Sequence, residues 1–172
     1  YSGILSYVTA YAESINLIQA GSLYFTVYGI TVLLSRPITG PLLDRKGANL
    51  VMYPAIIMFA LGMMVISQAS VTLAFLLAAV LIGFGYGNVQ SITQAISIKV
   101  TPPDRLGLAN TTYFIALDLG LGFGPFILGY LVPQLGYRGM YMTLGFVILA
   151  GLVVYYFLHG RVDKNLTQSS KM

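Results

Sequence analysis

Long stretches without a charged residue constrain this chain more than any other feature. They cover 14–35, 47–98, 106–137 and 139–160, and only Asp118 interrupts the third. A helix that crosses a bilayer needs about 20 predominantly apolar residues. Charged residues make up 8% of the chain and hydrophobic residues 57%, whereas a soluble domain carries about 25% charged residues. The chain is therefore predicted to be an all-α integral membrane protein.

The lengths of these stretches predict how often the chain crosses the membrane. The stretch 47–98 has 52 residues and as one helix would extend for about 78 Å, so we expect two spans that meet at its polar cluster, 67–70. The start, 1–12, is too short to cross alone and is predicted to be half of a helix. The predicted complete spans are 20–37, 50–67, 71–99, 106–132 and 139–158. Together they predict a membrane helix bundle over 1–158 and a tail over 159–172.

The basic residues fall almost entirely on one side of these spans. Eight of the nine lie on that side, and only Arg138 lies on the other. The eight are Arg36, Arg45, Lys46, Lys99, Arg105, Arg161, Lys164 and Lys171. Cytoplasmic loops of membrane proteins carry an excess of Lys and Arg. The bias predicts that the loops 38–48 and 100–105 and the C-terminal tail are cytoplasmic, and the scattered charges argue against a nucleic-acid partner.

The loop after the first complete span carries the pattern Gly40-x-x-x-Asp44-Arg45-x-Gly47. This pattern, in a short cytoplasmic loop, resembles the loop signature of the major facilitator superfamily. The length, the span count and the charge bias are similar to those of the C-terminal half of such a twelve-helix transporter, with six helices of which the first is truncated. The resemblance implies that Arg36 and this loop form a cytoplasmic latch that opens when the transporter changes conformation.

One span carries a stripe of small and then polar residues at helical spacing. Its members lie 4, 3, 4 and 3 residues apart, on a face about 80° wide: Gly83, Gly87, Gln90, Gln94 and Ser97. Glycines allow helices to approach closely, so a packing role is predicted for the first two. Amides in lipid need partners or water, which favours cavity lining for the polar ones. The predicted cavity-lining residues are Asn88, Gln90, Gln94, Ser97 and Thr111.

Asp118 lies near the middle of the predicted span 106–132. A carboxylate at that depth is costly unless it is neutral, paired or in contact with water. We therefore predict a site for proton coupling or for a substrate charge, with helix packing as the alternative. The following residues Gly120, Gly124 and Pro125 combine a small-residue face with a proline, which predicts close packing and a bend.

The resemblance implies a secondary transporter of a small organic solute, similar to the proton-coupled efflux subgroup, in the inner membrane of a bacterium. Its partners would be the solute, protons, lipid and a missing N-terminal half. A proton-coupled importer of a sugar or another solute and a membrane scaffold without transport remain alternatives. A membrane enzyme is disfavoured, because the chain has one histidine and no cysteine to build a nucleophilic or metal site. No cofactor and no metal site are predicted.

Overall fold

The computed structural model describes residues 1–160, and every regular element in that range is helical. The helices are α1 (Ser2–Ser14), α2 (Ile18–Lys46), α3 (Asn49–Gln68), α4 (Thr72–Lys99) and α5 (Leu106–Tyr155). A 3₁₀ turn, Pro103–Arg105, precedes α5, and a π-helical turn, Tyr156–Gly160, follows it. Helices α2, α3 and α4 and the stretch Pro103–Leu158 are long and apolar enough to cross a membrane. The predicted all-α membrane fold is thus confirmed, and most of the predicted tail lies outside the described residues.

Helix α5 is broken at Gly136, whose backbone angles are φ 66° and ψ 173°. A continuous helix of its 50 residues would be about 75 Å long, more than twice the thickness of the hydrocarbon core of a bilayer. We call 106–135 the first arm of α5 and 137–155 the second arm. The spans predicted at 106–132 and 139–158 correspond to these two arms.

Helix α2 extends further than the sequence predicted. It continues through Pro37 and Pro41 and ends at Lys46, so the predicted end at residue 37 and the predicted loop 38–48 are wrong. Two residues, 47 and 48, separate α2 from α3. Helices α3 and α4 begin and end within one residue of the ranges predicted for them.

Buried hydrogen bonds to α4 explain why α2 persists past its prolines. Thr39 donates a hydrogen bond to Asn88 Oδ1 at 2.6 Å, and Asn88 Nδ2 donates to Ser35 Oγ at 3.3 Å and to the carbonyl of Phe84 at 2.6 Å. Thr39, Ser35 and Asn88 are 6%, 4% and 1% exposed. A proline removes one backbone donor from a helix, but this polar contact between two helices offsets part of that loss.

Glycines let α4 pack closely on both of its neighbours. A Cβ at Gly85 would lie 2.5 Å from the backbone nitrogen of Phe59 in α3, and one at Gly83 would lie 2.9 Å from the carbonyl oxygen of Tyr28 in α2. A Cβ at Gly87 would be equally crowded by α2. These contacts support the packing role predicted for Gly83 and Gly87, and they hold α4 at a fixed position between α2 and α3.

Hydrogen bonds connect the chain just after the break at Gly136 to the turn between α3 and α4. Ser67 Oγ donates a hydrogen bond to the carbonyl of Arg138 at 2.7 Å, and Arg138 Nη2 donates to the carbonyl of Ala69 at 3.4 Å. The hydroxyl of Tyr11 in α1 donates to the carbonyl of Ser67 at 3.3 Å. These bonds join α1, the end of α3 and the start of the second arm of α5.

Candidate functional site

A cleft of about 280 Å³ opens between the start of α1, the middle of α4 and the first arm of α5. Its polar and aromatic lining consists of Tyr1, Ser2, Tyr86, Gln90, Thr93 and Tyr113. Its apolar lining consists of Val89, Ala116, Leu117, Gly120 and Leu121. Among residues 1–160, no acidic or basic side chain lines this cleft. The wall therefore offers hydrogen bonds and aromatic faces to a solute, without a charge of its own.

Gln90 lies on the α4 side of the cleft. Its backbone carbonyl accepts a hydrogen bond from the Tyr113 hydroxyl at 2.7 Å, which ties α4 to the first arm of α5. Its side-chain amide has no hydrogen-bond partner within residues 1–160. An amide held at membrane depth needs water or a polar ligand, so Gln90 is available to bind one.

Gln94, one turn further along α4, is already engaged. Its Nε2 donates a hydrogen bond to Asn110 Oδ1 in the first arm of α5 at 3.0 Å. Ser97 donates to the carbonyl of Thr93 at 2.9 Å and lines a second, more open depression of about 530 Å³ that reaches Arg105. The polar residues predicted to line one cavity thus have three different positions. Gln90 lines the cleft, Gln94 bridges α4 and the first arm of α5, and Ser97 lies near the end of α4.

Asn88 lies away from the cleft, between α2 and α4, where its amide is used in the buried contacts with Ser35 and Thr39. The sequence predicts that Asn88 lines a cavity, but in the structure its amide is buried between two helices, where it contributes to their packing.

Asp118 lies on the other side of the first arm of α5. It is exposed and shares a shallow open surface with Ile115, Leu119, Gly122 and Phe123. The centre of this surface is roughly 160° around the helix from the α5 residues that line the cleft, at about 100° per residue. Thr111, two turns earlier, is also exposed. The structure therefore does not bring Asp118 and Gln90 together.

Gly120, Gly124 and Pro125 of the first arm contact different parts of the structure. Gly120 lines the cleft, whereas a Cβ at Gly124 would lie 2.8 Å from the Cβ of Ser2 in α1. The carbonyl of Pro125 accepts a hydrogen bond from the Tyr7 hydroxyl at 2.7 Å. This part of the arm is the surface on which α1 packs.

The residues of the predicted latch lie on α2 and just after it. Asp44 and Arg45 are exposed in the last turn, where a basic side chain complements the helix dipole and a carboxylate opposes it. Within residues 1–160, Asp44 forms no ion pair. No atom lies within 4 Å of a Cβ at Gly40, so among the described residues no second helix packs closely against it. Gly47 has φ 85° and ψ 167°, a conformation that favours glycine.

Arg36, the remaining residue of that predicted latch, is exposed within α2, almost three turns before the end of the helix. The sequence predicted Arg36 at the very end of this span, and it lies further from the end because α2 continues to Lys46.

Sequence reasoning missed the aromatic part of the cleft. Tyr1 stacks on Tyr86 with ring centroids 3.9 Å apart and an interplanar angle of 8°, and Tyr28 continues the stack at 5.7 Å from Tyr1. Most tyrosines of such a chain serve as interfacial belt or packing residues. The available signal was the position of Tyr86, four residues before Gln90 and hence on the same face of α4.

Comparison with known proteins decides the family. The sequence matches the profile of the Major Facilitator Superfamily over residues 1–171. The chain belongs to this superfamily. Its members are membrane transporters and not enzymes, which removes the membrane enzyme from the possible functions.

Curated relatives show how much of a transporter the chain covers. An uncharacterized MFS-type transporter of Methanocaldococcus jannaschii is 27% identical over 157 residues, which are 90% of this chain and 40% of that protein. The multidrug resistance protein MdtG of Dickeya zeae is 27% identical over 170 residues, 95% of this chain and 41% of that protein. An uncharacterized MFS-type transporter of Burkholderia mallei is 26% identical, with 94% and 39% covered. The chain thus spans about two fifths of the length of these relatives.

Proposed function

We propose that the chain is the C-terminal half of a secondary active transporter that exports a small organic solute in exchange for protons. The observation that carries this proposal is the uncharged cleft between α1, α4 and α5, with the free amide of Gln90 on its wall. A multidrug resistance protein among the relatives supports the direction of transport. The site is proposed to lie in the inner membrane of a bacterial cell.

The helix count supports a half transporter. Helices α1 to α4 and the two arms of α5 make six helical segments. Helix α1, with 13 residues, is about 20 Å long, which is shorter than a bilayer crossing. The chain covers about two fifths of its relatives. Six segments with a short first one fit half of a twelve-helix bundle, in which the other half supplies the opposite wall of the pathway.

The cleft suits a solute with an aromatic or apolar body and hydrogen-bonding groups. Tyr86 and Tyr113 provide ring surface, and Gln90 provides one acceptor and two donors. Ligand pockets are usually apolar with a few placed polar groups. Because alternating access opens such a site to one side of the membrane at a time, the cleft would bind the solute near the bilayer midplane.

Asp118 is the proposed proton site. It lies about 18 Å from the start of an arm that is about 45 Å long, so it is the acidic residue deepest within a described span. A carboxylate at that depth is typical of a proton relay or ion pathway. The charged end of α2, with Arg36, Asp44 and Arg45, is proposed to act as a cytoplasmic latch whose partners lie outside residues 1–160.

Efflux measurements test this function. Cells that express the full-length transporter are loaded with a panel of lipophilic cationic dyes, and dye loss is followed with and without a proton gradient. We expect gradient-dependent efflux from wild type, strong loss in Asp118→Asn and in Gln90→Leu, and no loss in Asp104→Asn, an exposed control. Expression in the membrane is matched between variants.

The outcomes separate the alternatives. Gradient-dependent uptake instead of efflux would indicate an importer. Unchanged efflux in Asp118→Asn would remove Asp118 as the proton site, and unchanged efflux in Gln90→Leu would remove the cleft as the solute pathway. A lack of movement of any tested solute in either direction would favour the scaffold.

A further inference from the structure

One buried side-chain polar atom in the core has no hydrogen-bond partner among the described residues. It is the hydroxyl oxygen of Tyr24 in α2, and Tyr24 is 0% exposed. Nearly all buried polar groups of native proteins are bonded to the protein or to an ordered water, because an unpaired group loses its hydration without compensation. The Tyr24 hydroxyl therefore needs a partner that residues 1–160 do not supply.

The packing of Tyr24 prevents its hydroxyl from reaching lipid or bulk water. The ring packs edge-on against Phe25, with centroids 5.5 Å apart at an interplanar angle of 81°, and against Phe75 of α4, at 5.6 Å and 72°. A tyrosine oxygen lies on the long axis of its ring, so a ring held on two sides fixes the position of the hydroxyl. The partner must therefore lie inside the bundle.

A second buried hydroxyl lies in the same part of the core. Tyr141 of the second arm is also 0% exposed, and it interacts electrostatically with Tyr24. Its hydroxyl donates a hydrogen bond to the carbonyl of Gly3 in α1 at 3.2 Å, and its oxygen can still accept one. The two hydroxyls are not bonded directly to each other. Polar groups that interact across such a gap are often joined by a water molecule.

We propose that one water molecule is bound between the hydroxyls of Tyr24 and Tyr141 and links α2 to the contact between α1 and the second arm of α5. The water accepts a hydrogen bond from Tyr24 and donates one to Tyr141. A buried water makes about three hydrogen bonds, and Tyr28, one turn after Tyr24, is a further electrostatic neighbour that can provide the third. Tyr24 and Tyr141 do not line the cleft with Gln90, so this water belongs to the packed core of the chain.

Water suits this position better than a cation does. Hydroxyl and carbonyl oxygens can also bind sodium, but a buried ion needs a compensating charge. The titratable side chains that act on Tyr24 within residues 1–160 are Tyr141, Tyr1 and Tyr28, and none of them is a carboxylate. The favoured ligand is therefore uncharged and small enough to be enclosed.

Hydroxyl-radical footprinting tests for the water. An X-ray pulse splits bound water and produces radicals in place, so a buried side chain that contacts water is oxidised, and mass spectrometry locates it. The purified full-length transporter is irradiated in detergent micelles. Met63 is the control, because it is 0% exposed in the same apolar core and its sulfur oxidises more readily than a phenol. We expect several-fold more oxidation at Tyr24, and equal protection of both residues would overturn the proposal.

Removal of the hydroxyl gives outcomes of opposite sign. Tyr24→Phe keeps the ring and its packing, so the variant should fold. Loss of one hydrogen bond should shift the unfolding equilibrium of the full-length transporter in mixed micelles about 2- to 13-fold toward the unfolded state. Tyr130→Phe, at a position that is 64% exposed, is the control and should leave the equilibrium unchanged. A Tyr24→Phe protein as stable as wild type, or more stable, would mean that the hydroxyl has no partner and would overturn the water site.

A double-mutant cycle tests the other end of the bridge. Because one water joins the two hydroxyls, Tyr24→Phe combined with Tyr141→Phe should shift the equilibrium by less than the product of the two single shifts. A shift equal to the product would contradict the bridge. Choline in place of sodium should leave the effect of Tyr24→Phe unchanged, and its loss in choline would identify a bound sodium ion instead. None of these measurements requires transport, so this inference and the proposed function can fail separately.

Discussion

Replacing Gly85 by alanine should separate α3 from α4. A Cβ at Gly85 would lie 2.5, 2.6 and 2.7 Å from the N, Cα and Cβ atoms of Phe59, whereas carbon atoms pack best about 3.5–4.0 Å apart. Backbone atoms of a helix cannot rotate away, so the two helices must shift by roughly 1 Å. Overpacking of this kind costs about 1–3 kcal/mol.

The same substitution also has a favourable term. Alanine in a helix is more stabilising than glycine by about 0.5–1 kcal/mol, because it loses less conformational entropy when the chain folds. With three crowded atoms the clash belongs at the upper end of its range, which leaves a net destabilisation of about 2 kcal/mol. That corresponds to roughly a 30-fold shift toward the unfolded state.

Gly151→Ala is the matched control, since no atom lies within 4 Å of a Cβ there and the residue is exposed. Because the chain has no tryptophan, unfolding of the purified protein in mixed detergent micelles is best followed by far-UV circular dichroism against SDS fraction. Gly151→Ala should be neutral or slightly stabilising. A Gly85→Ala protein as stable as Gly151→Ala would refute the close approach of α3 and α4.

Two further substitutions test other parts of the fold by the same unfolding measurement. Gly136→Ala should destabilise the chain by about 1–3 kcal/mol, because residues with a side chain avoid the backbone angles φ 66° and ψ 173°. No atom lies within 4 Å of a Cβ there, so a steric clash does not add to this cost. Wild-type stability of the variant would mean that α5 does not turn at this residue. Asn88→Ala should cost about 1–2 kcal/mol through its hydrogen bonds with Ser35 and Thr39; a stabilised variant would contradict the buried polar contact.

Much of the membrane fold follows from where charges are absent. The uncharged stretches predicted α3 and α4 to within one residue, because hydrocarbon thickness sets the length of a span. The end of α2 was not predictable in the same way. Pro37 and Pro41 argue locally for a loop, and only the contact with Asn88 on another helix, distant in sequence, allows the helix to continue.

The candidate site was partly predictable for a related reason. Helical spacing placed Gln90 on the side of α4 that lines the cleft, since that spacing is a property of one helix. Whether an amide is free or engaged depends on a second helix, and so Gln94 could not be distinguished from Gln90 before Asn110 was located. The same holds for Asp118, whose depth follows from the sequence but whose direction relative to the cleft required the packing of α5.

The most direct test of the account compares two adjacent residues of the first arm of α5, which lie about 100° apart around the helix. Ala116 lines the cleft, whereas Ile115 belongs to the open surface around Asp118. In the full-length, otherwise cysteine-free transporter, Ala116→Cys should react with a water-soluble maleimide, and an exported dye should slow that reaction, while Ile115→Cys should remain unreactive. If Ala116→Cys is unreactive, or if both residues react equally and the dye has no effect, the cleft is not the pathway of the solute.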